Sequence, residues 1–181
     1  MKKIILTIAV VMAATFANAQ DKKESVTTKE IVFGVKGGLN NSNYTGDADS
    51  DAATSFYIGG LVDFHITEKF HVQPELLYSV EGAKDDSMTF LRVPIMAKFY
   101  VGDGFSLQAG PELAFKIAAE DDLTDEFSKS LDYGLGFGAG YELSSGLMFD
   151  ARYNLGLANI SDVDGFDVGT SSIQVGLGYR F

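Results

Sequence analysis

Eight stretches of the sequence alternate between apolar and other residues, and this period of two constrains the fold more than any other feature. Successive side chains of an extended strand point to opposite faces, so each stretch predicts a strand with one apolar face. None of the eight apolar faces contains a charged residue. The stretches span residues 31–39, 56–66, 70–80, 91–101, 105–117, 131–143, 147–157 and 173–181.

The connections between these stretches also alternate, because short turns follow longer polar loops along the chain. The short turns are 67–69, 102–104 and 144–146, and the longer loops are 43–54, 82–88, 119–129 and 159–170. This pattern predicts an all-β, eight-stranded antiparallel up-and-down barrel with turns at one end and loops at the other. A soluble, lipocalin-like barrel would bury the apolar face inside, whereas a transmembrane barrel turns it towards lipid.

The residues that alternate with the apolar ones make up the second face of each strand. This second face carries six basic and seven acidic side chains in total, a near balance that favours an enclosed lumen over a solvated surface. We therefore expect a charge network inside a transmembrane barrel. Folding the loop about residue 124 places Lys116 opposite Asp132. The predicted lumen residues are Lys36, Asp63, Glu75, Glu81, Arg92, Lys98, Glu112, Lys116, Asp132, Glu142, Asp150, Arg152 and Arg180.

Each strand carries an aromatic residue of the apolar parity near its turn-side end, which predicts a girdle at the membrane interface. The girdle comprises Phe33, Phe64, Phe70, Phe99, Phe105, Tyr141, Phe149 and Phe181. The last strand also matches a terminal signal of the kind read by the outer-membrane barrel assembly machinery. Its residues are Gln174, Gly176, Tyr179 and Phe181.

The segment MKKIILTIAVVMAATFANAQ has two lysines, a short apolar core and small residues before position 20, as a secretory signal peptide does. Its core is shorter than the roughly 20 residues of a spanning helix, which disfavours a membrane anchor. We expect a signal peptide at 1–19, a flexible periplasmic lead-in at 20–30 and the barrel at 31–181. Both termini would then be periplasmic and the long loops extracellular.

The charge excess lies in the four long loops, where 13 acidic residues face only Lys84 and Lys129. Such an acidic rim argues against nucleic-acid binding and allows contact with lipopolysaccharide only through bridging cations. Asp47, Asp49 and Asp51 do not form an EF-hand, because Ala52 and Ile58 replace the glycine and glutamate that the loop needs. Weak divalent binding by these loops stays open. The sequence contains no cysteine, which excludes disulfides.

The segments LRVPIMAKFYVG, AGPELAF, YGLGFGAGYEL and ARYNLGLANI resemble the porin-like outer-membrane β-barrel family of Bacteroidota, the PorT-like group. The resemblance covers essentially the whole chain after the signal peptide. It implies the barrel fold and outer-membrane placement, with outer-membrane lipid, lipopolysaccharide and the assembly machinery as partners. It implies no catalytic residue.

We expect a non-enzymatic monomer without cofactor or metal, whose lumen is filled by side chains because eight strands leave little interior space. Its role would be structural or surface interaction. Alternatives are a narrow channel for small solutes and an accessory barrel of a secretion system. His65, His71 and Asp63 invite a hydrolase interpretation, but their periplasmic position disfavours it. The glycines of 134–140 border either a channel or long side chains from facing strands.

Overall fold

The computed structural model describes residues 30–46, 52–83, 86–119, 131–158 and 168–181. Within these ranges no helix has the length and apolar character needed to cross a membrane. The predicted signal peptide at 1–19, all but Glu30 of the lead-in at 20–30, and most of the acidic loop residues lie outside the described residues. The strands are β1 (Ile31–Gly46), β2 (Ala53–His65), β3 (Phe70–Ala83), β4 (Asp86–Tyr100), β5 (Phe105–Ala119), β6 (Leu131–Glu142), β7 (Leu147–Gly156) and β8 (Val168–Arg180).

The eight strands form a closed barrel in which each strand pairs antiparallel with its neighbour in the sequence. The barrel closes where β1 pairs with β8, with Leu39 opposite Val175 and Gly34 opposite Arg180. The amide of Phe181 continues this seam by donating to the carbonyl of Phe33 at 3.0 Å. Closure removes both free sheet edges, and the all-β up-and-down barrel prediction is confirmed.

The apolar parity faces outward along the strands, as the transmembrane arrangement requires. Val35 and Leu177 expose 53% and 54% of their surface, whereas Lys36, beside Val35, exposes 3%. Charged side chains inside and apolar side chains outside invert the arrangement of a soluble barrel. The alternative of a lipocalin-like soluble barrel is therefore wrong.

The short connections lie at one end of the barrel, as predicted. Gly104 and Gly146 adopt positive φ angles of 75° and 89°, which glycine tolerates without the cost of a Cβ atom. At the opposite end the strands are longer than the pattern indicated. The predicted loop at 82–88 is wrong in extent, because β3 runs to Ala83 and β4 begins at Asp86, with these two residues paired. Strands that project beyond the bilayer into water need no alternating apolar face, so alternation underestimates their length.

The register between β5 and β6 also differs from the expectation. Asp132 lies opposite Ala114, not Lys116, so the predicted position is off by two residues. A shift of two preserves which face each side chain occupies. Alternation therefore determined the parity of β6 correctly but did not determine its register.

Candidate functional site

The lumen brings together charged side chains from strands that are not neighbours in the sheet. The central layer comprises Lys36, Glu75, Asp150 and Arg152. The loop-side layer comprises Glu81, Arg92 and Glu112. The turn-side cluster comprises Asp63, His65, His71, Lys98, Glu142 and Arg180.

Arg152 and Glu75 form the centre of the central layer, and they connect β7 to β3 across the lumen. The Nη1 and Nη2 atoms of Arg152 donate to the two carboxylate oxygens of Glu75 at 3.1 and 2.8 Å. Lys36 completes the layer, with its Nζ atom 3.5 Å from Glu75 and 2.6 Å from Asp150. Two cations and two anions thus balance where Arg152 and Glu75 expose only 2% and 3% of their surface. A buried ion pair is stable away from water only when its charges are compensated by close partners in this way.

The loop-side layer is organised around Arg92. Its Nε and Nη2 atoms each donate to one oxygen of Glu81 at 2.6 Å, and its Nη1 atom donates to Glu112 at 2.8 Å. This forked geometry is one that arginine provides and lysine does not. Nearby, Asp132 accepts a hydrogen bond from the Thr170 hydroxyl at 2.8 Å. The sequence had suggested Lys116 as its neighbour.

In the turn-side cluster, several donors converge on the buried carboxylate of Asp63. Arg180 Nη1 lies 2.6 Å from Oδ2 of Asp63, His71 Nδ1 lies 3.2 Å from it, and His65 Nε2 lies 3.6 Å from it. The two imidazole rings stack with centroids 3.8 Å apart. Arg180 also pairs with Glu142, whose Oε2 accepts a hydrogen bond from Tyr100 at 2.8 Å.

An open cavity of about 740 Å³ leads from the turn end of the barrel to the turn-side cluster. Glu30, Glu68, Asp103 and Glu142 line it, and Arg180 is the one arginine or lysine among the described lining residues, which also include His65 and His71. Solvent therefore has access to His65, whose side chain is 22% exposed, whereas His71 and the central layer are buried. The open mouth and the closed middle are distinct environments.

The sequence analysis grouped Asp63, His65 and His71 beside one short turn, and the structure brings them together in one cluster. His65 and His71 are direct cross-strand partners in the β2–β3 hairpin, and Asp63 precedes His65 by two residues on the same face. The centre of the turn lies midway between the histidines. The sequence did not predict the contact of Arg180 with Asp63, because β8 joins the cluster only when the barrel closes.

The predicted girdle residues point outward at the turn-side end. Phe70 and Phe99 are cross-strand partners, as are Phe105 and Tyr141, and Tyr141 in turn pairs with Phe149. Direct pairing places these rings at one height along the barrel. Phe33, Phe64 and Phe181 extend the set across β1, β2 and the end of β8.

The four residues of the predicted assembly signal occupy different environments. Gln174 is buried in the lumen, while Tyr179 and Phe181 face outward with 49% and 72% of their surface exposed. Gly176 has a packing role as well, because a Cβ atom there would lie 2.0 Å from the hydroxyl of Tyr57. Gly136, in the glycine series, borders the Arg152 side chain, and a Cβ atom there would approach Arg152 Cδ at 3.2 Å.

The family model described as outer membrane protein beta-barrel domain matches residues 18–162. The chain belongs to this outer-membrane family. None of the curated proteins matches the sequence significantly.

Solved structures show the same fold. Neisserial surface protein A is 15% identical with a TM-score of 0.56, covering 82% of this chain and 97% of its own. Ail, the attachment invasion locus protein of Yersinia pestis, is 18% identical with a TM-score of 0.52, covering 84% and 99%. A second Ail structure, in complex with the heparin analogue sucrose octasulfate, is 16% identical with a TM-score of 0.51 and the same coverage.

Proposed function

We propose that this outer-membrane protein is a non-enzymatic monomer that acts as a structural or surface-interaction barrel through its acidic extracellular loops. The observation that carries the proposal is the sealed central layer. Glu75 and Arg152 span the lumen with 3% and 2% exposure, which supports a lumen filled by side chains at this layer. A barrel whose interior is filled acts on its surroundings through its ends.

The charge of the loops indicates the chemistry of that surface. Sucrose octasulfate, the ligand named for Ail, is a polyanion, whereas the loops of this chain hold 13 acidic and two basic residues. Coulomb repulsion disfavours a polyanionic partner here. The loops suit cationic partners, or lipopolysaccharide phosphates bridged by divalent cations. During biogenesis the barrel assembly machinery would recognise the chain by its terminal signal, which comprises Gln174, Gly176, Tyr179 and Phe181.

Planar-bilayer recording tests the sealed lumen directly. Barrel purified from outer membranes in detergent should show a heat-dependent gel shift and no discrete conductance steps. A double variant, Glu75→Ala with Arg152→Ala, removes the crossing side chains and should conduct if it folds. Conductance of the wild-type barrel would instead favour the narrow-channel alternative, because the charged lumen would then have to rearrange around an ion path.

The orientation of the barrel is testable because the sequence contains no native cysteine. Ser50→Cys in a long loop and Ser145→Cys in a turn can each be labelled with a membrane-impermeant maleimide on intact cells. Extracellular loops and periplasmic termini predict labelling at position 50 alone until the outer membrane is permeabilised. Labelling at position 145 on intact cells would reverse the proposed orientation.

Hydrolysis is disfavoured by the contacts of the histidines. Asp63 is engaged by Arg180 and His71, and neither histidine contacts a serine or threonine hydroxyl in the hydrogen bonds of the described residues. A nucleophile within hydrogen-bond reach of its base is the basic requirement of such a site. Esterase or protease turnover by wild-type barrel that is lost in His65→Ala would contradict the non-enzymatic proposal.

A further inference from the structure

We propose that Asp63, His65 and His71 form a binding site for a divalent transition-metal cation of the Zn²⁺ class at the turn end of the lumen. The inference concerns the turn-side cluster and goes beyond the surface role proposed above. Two imidazole nitrogens and one carboxylate are a ligand set that Zn²⁺ accepts, with water in the remaining position.

The distances between the ligand atoms fit a single ion. Ligands about 2.0–2.1 Å from a tetrahedral metal lie about 3.3–3.4 Å from one another. Asp63 Oδ2 lies 3.2 Å from His71 Nδ1 and 3.6 Å from His65 Nε2, on either side of that value. One potential ligand atom from each residue lies within 4.8 Å of the others. Small side-chain rotations would bring all three into coordination.

Unsatisfied atoms supply a second, independent observation. Asp63 is completely buried, yet its Oδ1 atom accepts no hydrogen bond, and the buried Nε2 atom of His65 has no hydrogen-bond partner either. A buried acceptor without a partner costs free energy, and such groups are rare in native proteins. A bound cation would satisfy both atoms at once.

Arg180 is compatible with a metal ion, although it lies beside Asp63. Its guanidinium bridges Asp63 and Glu142, so its positive charge is already compensated. A carboxylate can bind a metal through one oxygen and accept a hydrogen bond at the other, as outer-shell partners of metal sites commonly do. Arg180 donates to Oδ2, the oxygen from which both histidine distances above are measured. A small rotation of the carboxylate would turn the unpartnered Oδ1 towards the histidine nitrogens and the ion, while Oδ2 keeps its contact with Arg180.

The surroundings of the cluster favour the entry of a cation. The cavity leading to it is lined by Glu30, Glu68, Asp103 and Glu142, whose field attracts positive ions. The position of the site on one hairpin also suits metal binding, because the β2–β3 turn holds all three ligands close before any ion arrives. The barrel therefore pays little conformational entropy for assembling the site.

The composition makes the test unusually clear, because His65 and His71 are the only histidines and no cysteine is present. Untagged barrel, purified in detergent and stripped with a chelator, is titrated calorimetrically with Zn²⁺ in millimolar Mg²⁺, which occupies diffuse carboxylate sites. We expect saturable binding of one ion per chain with a dissociation constant of about micromolar order. His71→Gln should weaken binding at least about tenfold, and His65→Gln with His71→Gln should abolish it.

Glu68→Gln is the matched control, because Glu68 lines the same cavity but lies outside the cluster. Its affinity should stay within about twofold of wild type, as expected for a single screened surface charge. Equal weakening by Glu68→Gln and His71→Gln would show that the acidic mouth attracts the ion without a defined site. Binding that persists in the histidine-free variant, or no saturable binding by wild type, would overturn the proposal.

A spectroscopic readout keeps the test valid if a variant fails to fold. In wild-type barrel the ring protons of both histidines should shift on addition of Zn²⁺ and return on chelation. Co²⁺ should give visible ligand-field bands that Zn²⁺ abolishes. Unchanged histidine resonances at saturating Zn²⁺ would contradict coordination by these residues.

Discussion

The central layer and the turn-side cluster contain similar charges but satisfy them differently. In the central layer, both oxygens of Glu75 accept hydrogen bonds from Arg152, and Gln73 donates a further one at 2.8 Å. In the turn-side cluster, Oδ1 of the equally buried Asp63 has no hydrogen-bond partner. The side chains of the central layer cross the lumen and are buried, whereas the turn-side cluster borders an open cavity.

The central layer is therefore suited to stabilising the barrel, and the turn-side cluster is suited to binding a ligand. Charges removed from water must be paired, and breaking such a pair costs more than the pair itself contributes. The central layer pairs both of its carboxylates with cationic side chains, although the Nε atom of Arg152 has no hydrogen-bond partner. In the turn-side cluster, Oδ1 of Asp63 and Nε2 of His65 have no hydrogen-bond partner and lie beside an open cavity, as the atoms of a ligand site do. Substitutions in the two regions should therefore have different effects.

The largest effect should follow from breaking the central layer. Glu75→Ala leaves Arg152 and Lys36 buried without their shared counter-ion, so the free energy of unfolding should fall by about 3–5 kcal/mol. Urea titration of barrels folded in detergent measures this change. Glu68→Ala, in an exposed turn, should alter it by less than about 0.5 kcal/mol. Equal effects at the two positions would show that the central layer has no special role.

Gly176→Ala tests whether the packing around Tyr57 supports the same layer. The added Cβ atom would meet the Tyr57 hydroxyl, and overpacking of this kind costs about 1–3 kcal/mol. In a Tyr57→Phe background the cost should shrink, because the clashing oxygen is gone. A double-mutant cycle in urea measures the coupling. Additive effects would mean that Gly176 is required for another reason, such as recognition during assembly.

Tyr100→Phe probes the turn-side cluster without removing a charge. Its hydroxyl donates to Glu142 at 2.8 Å, and loss of that hydrogen bond should cost about 0.5–1.5 kcal/mol. Tyr153→Phe is the matched control, since Tyr153 faces outward with 45% exposure. The control should change the free energy of unfolding little in the same detergent. A larger effect for Tyr153 would indicate that its outward contacts dominate.

The smallest effect should come from His65→Gln in metal-free barrel, with a change below about 0.5 kcal/mol, because the side chain is partly solvated and its contacts are long. Adding Zn²⁺ should stabilise wild type more than the variant, because the stabilisation by a bound ligand falls as its affinity falls. Thermal midpoints with and without Zn²⁺ give this comparison. A large loss of stability without metal would make His65 a structural residue.

Alternation in the sequence was sufficient to predict the strands and which residues share a face, because successive side chains of a strand point to opposite sides. The outward direction of the apolar face also required the near balance of charges on the other face and the aligned aromatic residues. Alternation was not sufficient for register, and Asp132 therefore lies opposite Ala114. Nor could it predict the pairing of Arg152 with Glu75, because strands β7 and β3 meet only across the lumen. Such contacts depend on the tilt and stagger of the closed barrel, which no local pattern encodes.

The seam between β1 and β8 has a consequence for the order of folding. Asn40 pairs with Gln174, so the hydrogen bonds that close the barrel join residues far apart in the sequence. Loop-closure entropy must be overcome before this seam forms, which makes it a slow step. Until β8 arrives, β1 presents an unpaired edge on which another strand could assemble. Every partly assembled form of this topology therefore exposes an open strand edge until the seam between β1 and β8 has formed.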